Sequence, residues 1–133
     1  MNIESVKVEG VQYNVAQASA VQQQELMSII GHSITALIAN GDGVEITDHH
    51  KITVLSGLGF STIQQVAKIV LYKTIKDGGD AVVSIDDFQG RIDEYSLLIF
   101  EAVRANLQGF FTRLLNVRKE EIQSAKQLLL TQK

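Results

Sequence analysis

Apolar and polar residues alternate from Val6 to Val15: Val6, Val8, Val11, Tyr13 and Val15 are apolar, and Lys7, Gln12 and Asn14 are polar. A period of two buries one face of a strand. Glu9-Gly10 interrupts the alternation where a tight turn would sit, and Gly accepts the positive φ such a turn needs. The pattern predicts an N-terminal β-hairpin over 6–15. A two-stranded hairpin is marginal alone in water, so its Val/Tyr face has to lie on helices or pair with another chain.

From residue 19 the apolar spacing changes to three and four. Ser19-Ala20-Val21-Gln22 has the form of a capping box, and Val21, Leu26, Ile29, Ile30, Ile34, Leu37 and Ile38 make one stripe. This predicts a helix over 19–40, ended by Asn40-Gly41-Asp42-Gly43. Gly31 is an internal weak point that costs about 1 kcal/mol relative to Ala. Thr47 or Asp48 can cap a short helix holding Ile52, Val54 and Leu55, broken at Gly57 and Gly59. Ser61-Thr62-Ile63-Gln64 repeats the capping-box form and predicts a helix over 61–77. Its stripe is Ile63, Val66, Ala67, Val70, Leu71 and Ile75, and Asp77-Gly78-Gly79 stops it. Ala81-Val82-Val83 reads as a short extended piece.

The strongest helical signal runs over 86–116, where Phe88, Ile92, Tyr95, Ile99, Val103, Leu107, Phe110 and Leu114 recur in three- and four-residue steps. Leu97, Leu98 and Phe100 widen the stripe, as expected of a central helix packed on several sides. A last helix is expected over 117–130, with Val117, Ile122, Ala125, Leu128 and Leu129 on its apolar side. The fold class that follows is mainly α: a single helical domain over 1–133 with a small N-terminal β-hairpin, α+β by strict count.

Composition sharpens this picture. A chain of 133 residues has the length of one domain, and 45% hydrophobic residues are enough for a core. The absence of Pro suits long helices, and the absence of Cys excludes disulfides, thiol nucleophiles and Cys-ligated metals. Twelve Lys+Arg against fifteen Asp+Glu leave a net charge of -3, which argues against nucleic acid as a partner. Met1-Asn2-Ile3-Glu4-Ser5 has no secretory character, so a cytoplasmic location is expected. The longest apolar runs are Leu97-Leu98-Ile99-Phe100 and Leu128-Leu129-Leu130. A membrane span needs about 20 largely apolar residues, so no membrane partner is expected.

Candidate chemistry is sparse. His32, His49 and His50 lack the i, i+4 spacing of a helical metal pair, and neighbours such as His49-His50 point about 100° apart on a helix. Gly41-Asp42-Gly43 and Asp77-Gly78-Gly79-Asp80 match neither a P-loop nor an EF-hand and read as helix terminators. Asp80, Asp86, Asp87, Asp93 and Glu94 read as a solvated, dipole-complementing stretch, not a general acid–base pair. No GxSxG or SxxK occurs. The expectation is a protein that is not an enzyme and has no catalytic, metal or cofactor residues. Surplus apolar side chains mark candidate partner contacts instead. Neighbours Phe110 and Phe111 point in different directions on a helix, so either both are buried because the helix is central or one sits at its edge as a partner contact. Leu128, Leu129 and Leu130 cannot all face one core, so either the buried face is wide or one of them meets a partner. Val11, Tyr13 and Val15 complete the candidate set, as the face that docks the hairpin.

The stretch Val8-Glu9-Gly10-Val11-Gln12-Tyr13-Asn14-Val15-Ala16-Gln17-Ala18-Ser19-Ala20-Val21-Gln22-Gln23-Gln24-Glu25-Leu26 resembles the opening of tail assembly chaperones from long-tailed, lambda-like bacteriophages and prophages. Tyr72-Lys73-Thr74-Ile75-Lys76 and Phe88-Gln89-Gly90, followed by the long apolar helix, are similar to later parts of that family. The resemblance implies a helper made in the bacterial cytoplasm and not retained in the virion. It implies binding to the tape measure protein, assistance to polymerisation of the tail tube protein, and self-association. The alternative class is a structural tail or head–tail connector protein, which would carry more β structure.

Overall fold

The computed structural model describes the backbone of residues 2–40 and 47–131, and the side chains of 2–30, 47–109, 120 and 123–129. The chain is mainly helical with a small antiparallel sheet. In order it forms β1 (Ile3–Val8), β2 (Val11–Ala16), α1 (Ala20–Asn40), α2 (Asp48–Ser56), α3 (Phe60–Val70), β3 (Ile75–Lys76), a 3-10 turn (Ile85–Phe88) and α4 (Ile92–Thr131).

The hairpin forms where the alternation places it. Glu9 and Gly10 both take positive φ, 50° and 79°. That is the two-residue turn whose twist suits a hairpin. The register pairs Val6 with Tyr13 and Val8 with Val11. A third strand, Ile75–Lys76, adds antiparallel to the far edge of β2, giving the order β1-β2-β3. The Ser19 capping box also forms. The Gln22 amide donates to Ser19 Oγ at 3.2 Å, and the Ser19 amide donates to Gln22 Oε1 at 3.3 Å. α1 then runs to Asn40, continuous through Gly31.

Three element boundaries differ from the sequence expectation. The helix expected over 61–77 is α3, Phe60–Val70, and Ser61 does not cap it. Gly59 is its N-cap, at φ 86°, with no side-chain cap bond. α3 stops early because the β-branched pair Thr74-Ile75 turns the chain into β3. The buried Thr74 hydroxyl donates to the Val70 carbonyl at 3.2 Å. This gives the last turn of the helix a partner. Gly78-Gly79 accordingly turns β3 back toward Val82 and does not end a helix. The helix expected to begin at 86 opens as the 3-10 turn, capped by a reciprocal Ser84/Asp87 box, and Gly90 at φ 80° separates it from α4. The helices expected over 86–116 and 117–130 are one helix after Ile92. No Pro or left-handed Gly interrupts it near 116.

Almost every residue of α4 from Leu97 to Leu107 is buried, as its broad apolar stripe predicts, and β1, α1, α2 and α3 all pack on it. Two polar clamps fix the surrounding elements. Buried Asn106 accepts the Ala18 amide at 2.8 Å and donates to the Ala102 carbonyl at 2.9 Å, tying the chain between β2 and α1 to the central helix. Lys51 of α2 reaches Glu101 at 2.7 Å, and Arg104 lies 3.6 Å from the same carboxylate. Farther along, Gly109 lies within α4, and a Cβ there would meet nothing within 4 Å. Gly109→Ala is therefore expected to stabilise the protein by about 0.5–1 kcal/mol through helix propensity, read as a higher midpoint in denaturant at unchanged slope.

Candidate functional site

α3 carries a broad apolar stripe. Val66, Ala67, Ile69, Val70 and, just past its end, Leu71 are buried in the core. Ile63 packs at the margin of that core and Phe60 carries the stripe out to the surface. The chain after α3 returns beside this outer edge. Val83 N–H donates to the Thr74 carbonyl at 2.9 Å, and Val82 bridges to Ile75, so the segment is held to the sheet by backbone bonds. Phe88 is the anchor at its far end. It is 2% exposed, with its ring centroid 5.3 Å from Tyr95 and 6.2 Å from Tyr13, and Arg91 stacks over it at 5.4 Å.

The result is an open apolar groove of about 610 Å³ between α3 on one side and the 82–85 segment with the first turn of α4 on the other. Ala67 and Leu71 form the floor, Ile63, Val83 and Tyr95 the walls, and Phe60, Tyr72, Val82, Ile85 and Ile92 an exposed rim. Nine large apolar side chains are exposed among the described residues, and these five rim residues are the majority of them. Scattered exposed leucines or valines need no explanation, but a contiguous set does.

The polar groups of the groove are few. Ser96 donates its hydroxyl to the Ile92 carbonyl at 3.2 Å, so it is engaged with its own helix. Gln64 and Lys68 sit on the α3 side, and among the described residues the lining holds no His, Asp or Glu. Burial raises the Tyr95 phenol above its ordinary value. Burial likewise raises Tyr13, against the opposing pull of the Arg91 charge. A lining of this kind can grip an apolar helix face, and it offers no base beside a nucleophile.

The sequence-derived candidates lie elsewhere. Tyr13 and Val15 are buried and Val11 is half-buried, so these three fasten the hairpin to the rest of the molecule. Leu128 and Leu129 are exposed near the end of α4. The side chains of Phe110, Phe111 and Leu130 lie outside the described residues. His49 and His50 are exposed in the first turn of α2, where the His50 amide donates to Thr47 Oγ1. No group of three or more His, Asp or Glu among the described residues could hold a metal ion, and no described helix is long and apolar enough to cross a membrane. Sequence reasoning missed the groove, although its signal was present. Phe60 extends the apolar spacing of α3 by one turn ahead of Ile63, and Val82, Val83 and Ile85 are aliphatic residues between turns.

Fold and groove together make a mainly helical module with an open apolar groove at its surface. The chain belongs to the phage tail assembly chaperone (TAC) family, whose model matches residues 9–118. No curated protein and no solved structure matches it.

Proposed function

We propose that this chaperone, acting as a single domain in the bacterial cytoplasm, binds the tape measure protein, keeps it soluble while tail tube subunits polymerise around it, and leaves before the virion is complete. The observation that carries this reading is the exposed apolar groove in a member of a tail assembly chaperone family. A long helical client presents apolar stripes at i, i+3, i+4 and i+7, and helix-in-groove docking is the mode that reads them. Phe60 and Tyr72 supply aromatic anchors at the rim, the residue type that most often dominates such contacts. Many copies, each making one modest contact along a long client, hold it by multivalency and can be released stepwise. The net charge of -3 favours solubility of the loaded complex.

The experiment is co-expression with the tape measure protein, followed by mass spectrometry of purified particles. Tape measure protein in the supernatant only when the chaperone is present, with the chaperone missing from finished particles, is the expected result. Stoichiometric chaperone in the particles would instead favour the structural tail or connector reading.

A further inference from the structure

The two walls of the groove carry opposite charge. Residues 60–76, from the start of α3 to the end of β3, hold Lys68, Lys73 and Lys76 and no acid. Residues 77–96, which return along the other wall, hold six acidic residues and one Arg. Some of these charges are already engaged. The Asp87 carboxylate accepts the Ser84 amide at 2.9 Å, and Glu94 pairs with Arg91 at 3.1 Å. Asp86 and Asp93 are exposed and have no ion pair among the described residues. Asp86 follows the rim residue Ile85. Asp93 follows Ile92 and lies one turn before Ser96, both of which line the groove. On the facing wall Lys68 is itself part of the lining, and Lys73 Nζ lies 5.5 Å from the ring of the rim residue Tyr72. Both lysines are exposed, and neither has an ion pair among the described residues.

This asymmetry distinguishes the two directions in which a helix can lie in the groove. An amphipathic helix turns its apolar stripe to the floor and one flank to each wall. Turning it end for end, with the stripe still down, exchanges the flanks. The apolar contacts are largely indifferent to that exchange, but the charges are not. A helix with acids on one flank and bases on the other meets opposite charges in one direction and like charges in the other. Exposed ion pairs are weak singly, but reversal replaces attractions on both walls by repulsions, so a preference of roughly tenfold is expected at low salt.

We propose that the groove selects the direction of its client helix. The segment it takes is an amphipathic helix of the tape measure protein, with acidic residues on the flank that meets Lys68 and basic residues on the flank that meets Asp86 and Asp93. The choice of client rests on the functional reading above, and the choice of direction rests on the charges of the two walls. Every copy on one such client then points the same end of α3 toward the client's N-terminus.

The test uses the full-length protein and two synthetic helical peptides, each about four turns long with a leucine stripe. One carries Glu on one flank and Lys on the other, and its counterpart has Glu and Lys exchanged. Each has a photo-reactive group at its N-terminus, and adducts are mapped by proteolysis and mass spectrometry. The ends of the groove are marked by Phe60 and Tyr72, at the two ends of α3. One peptide should react about tenfold more at one end, and its counterpart about tenfold more at the other. The bias should shrink as salt rises. It should disappear in Lys68→Glu/Asp86→Lys/Asp93→Lys, while total adduct stays within about threefold of wild type. Phe60→Asp/Ile85→Asp should give neither adduct, which places both peptides in the groove. Adducts at both ends from each peptide, or at the same end from both, overturn the directional reading and leave the groove as the client site. Adducts that persist in Phe60→Asp/Ile85→Asp, or no adducts with the wild type, overturn the groove reading and the direction with it.

Discussion

Phe88→Ala is expected to destabilise the protein by about 3–5 kcal/mol, the usual cost of removing a fully buried ring. The ring is 2% exposed and lies between Tyr13 of the hairpin and Tyr95 of the central helix. Its loss would leave a void at the junction of three elements that share no other aromatic contact among the described residues. Total stabilities of small domains are about 5–15 kcal/mol, so the variant should sit near the edge of folding. A fall in Tm on the order of 15 °C by calorimetry is the expected reading. Phe88 also closes the segment that forms one wall of the groove, so client binding should weaken even at temperatures where the variant is folded. Phe88→Leu, which fills part of the space, should lose less than half as much. A change below about 1 kcal/mol for the Ala variant would show that the 82–91 segment is not anchored as described.

The groove itself gives the second large effect. Phe60→Asp/Ile85→Asp places two carboxylates on the rim, at positions 73% and 45% exposed in the free protein. Exposed positions of this kind usually change stability by no more than about 0.5 kcal/mol each, and Asp at the start of α3 complements the helix dipole. An occupant seated in the groove would have to bury those charges without partners, at several kcal/mol. Client affinity should fall by about 100-fold or more, while the thermal transition stays within a few degrees of wild type. Affinity would be read by calorimetric titration with tape measure segments. Equal binding by wild type and variant would place the client on another surface.

Much of the architecture was legible in the sequence because local and long-range signals agree in it. The hairpin shows a strict alternation broken by Glu9-Gly10, and the only conformation that suits both is the one found. The Ser19 box and the stripe behind it set the start of α1, and the all-round apolar run from Leu97 to Leu107 marks the helix on which the others pack. The errors lie where two patterns compete. Ser61 and Gln64 have the form of a cap, but Gly59 turns the chain before they can act as one. Ile75 continues the period of α3, yet it pairs with Asn14 across a strand. Phe88 continues the period of α4, yet Gly90 separates it from that helix. The groove was hidden for a different reason. Periodicity identifies an apolar stripe but does not say how much of it the core covers, and the Phe60–Ile63 edge of the α3 stripe reaches the surface. Only the return of the 82–85 segment beside that edge makes a groove of it, and that depends on a hydrogen bond to Thr74 that no local pattern encodes.

Whether the groove between α3 and the first turn of α4 holds the client is tested most directly by crosslinking. A photo-crosslinking side chain is placed at Tyr72, on the rim, and separately at His49, on exposed α2, during co-expression with the tape measure protein. A client seated in the groove gives a covalent tape measure adduct from position 72 and essentially none from position 49. Equal adducts from both positions, or an adduct from position 49 alone, would contradict that placement.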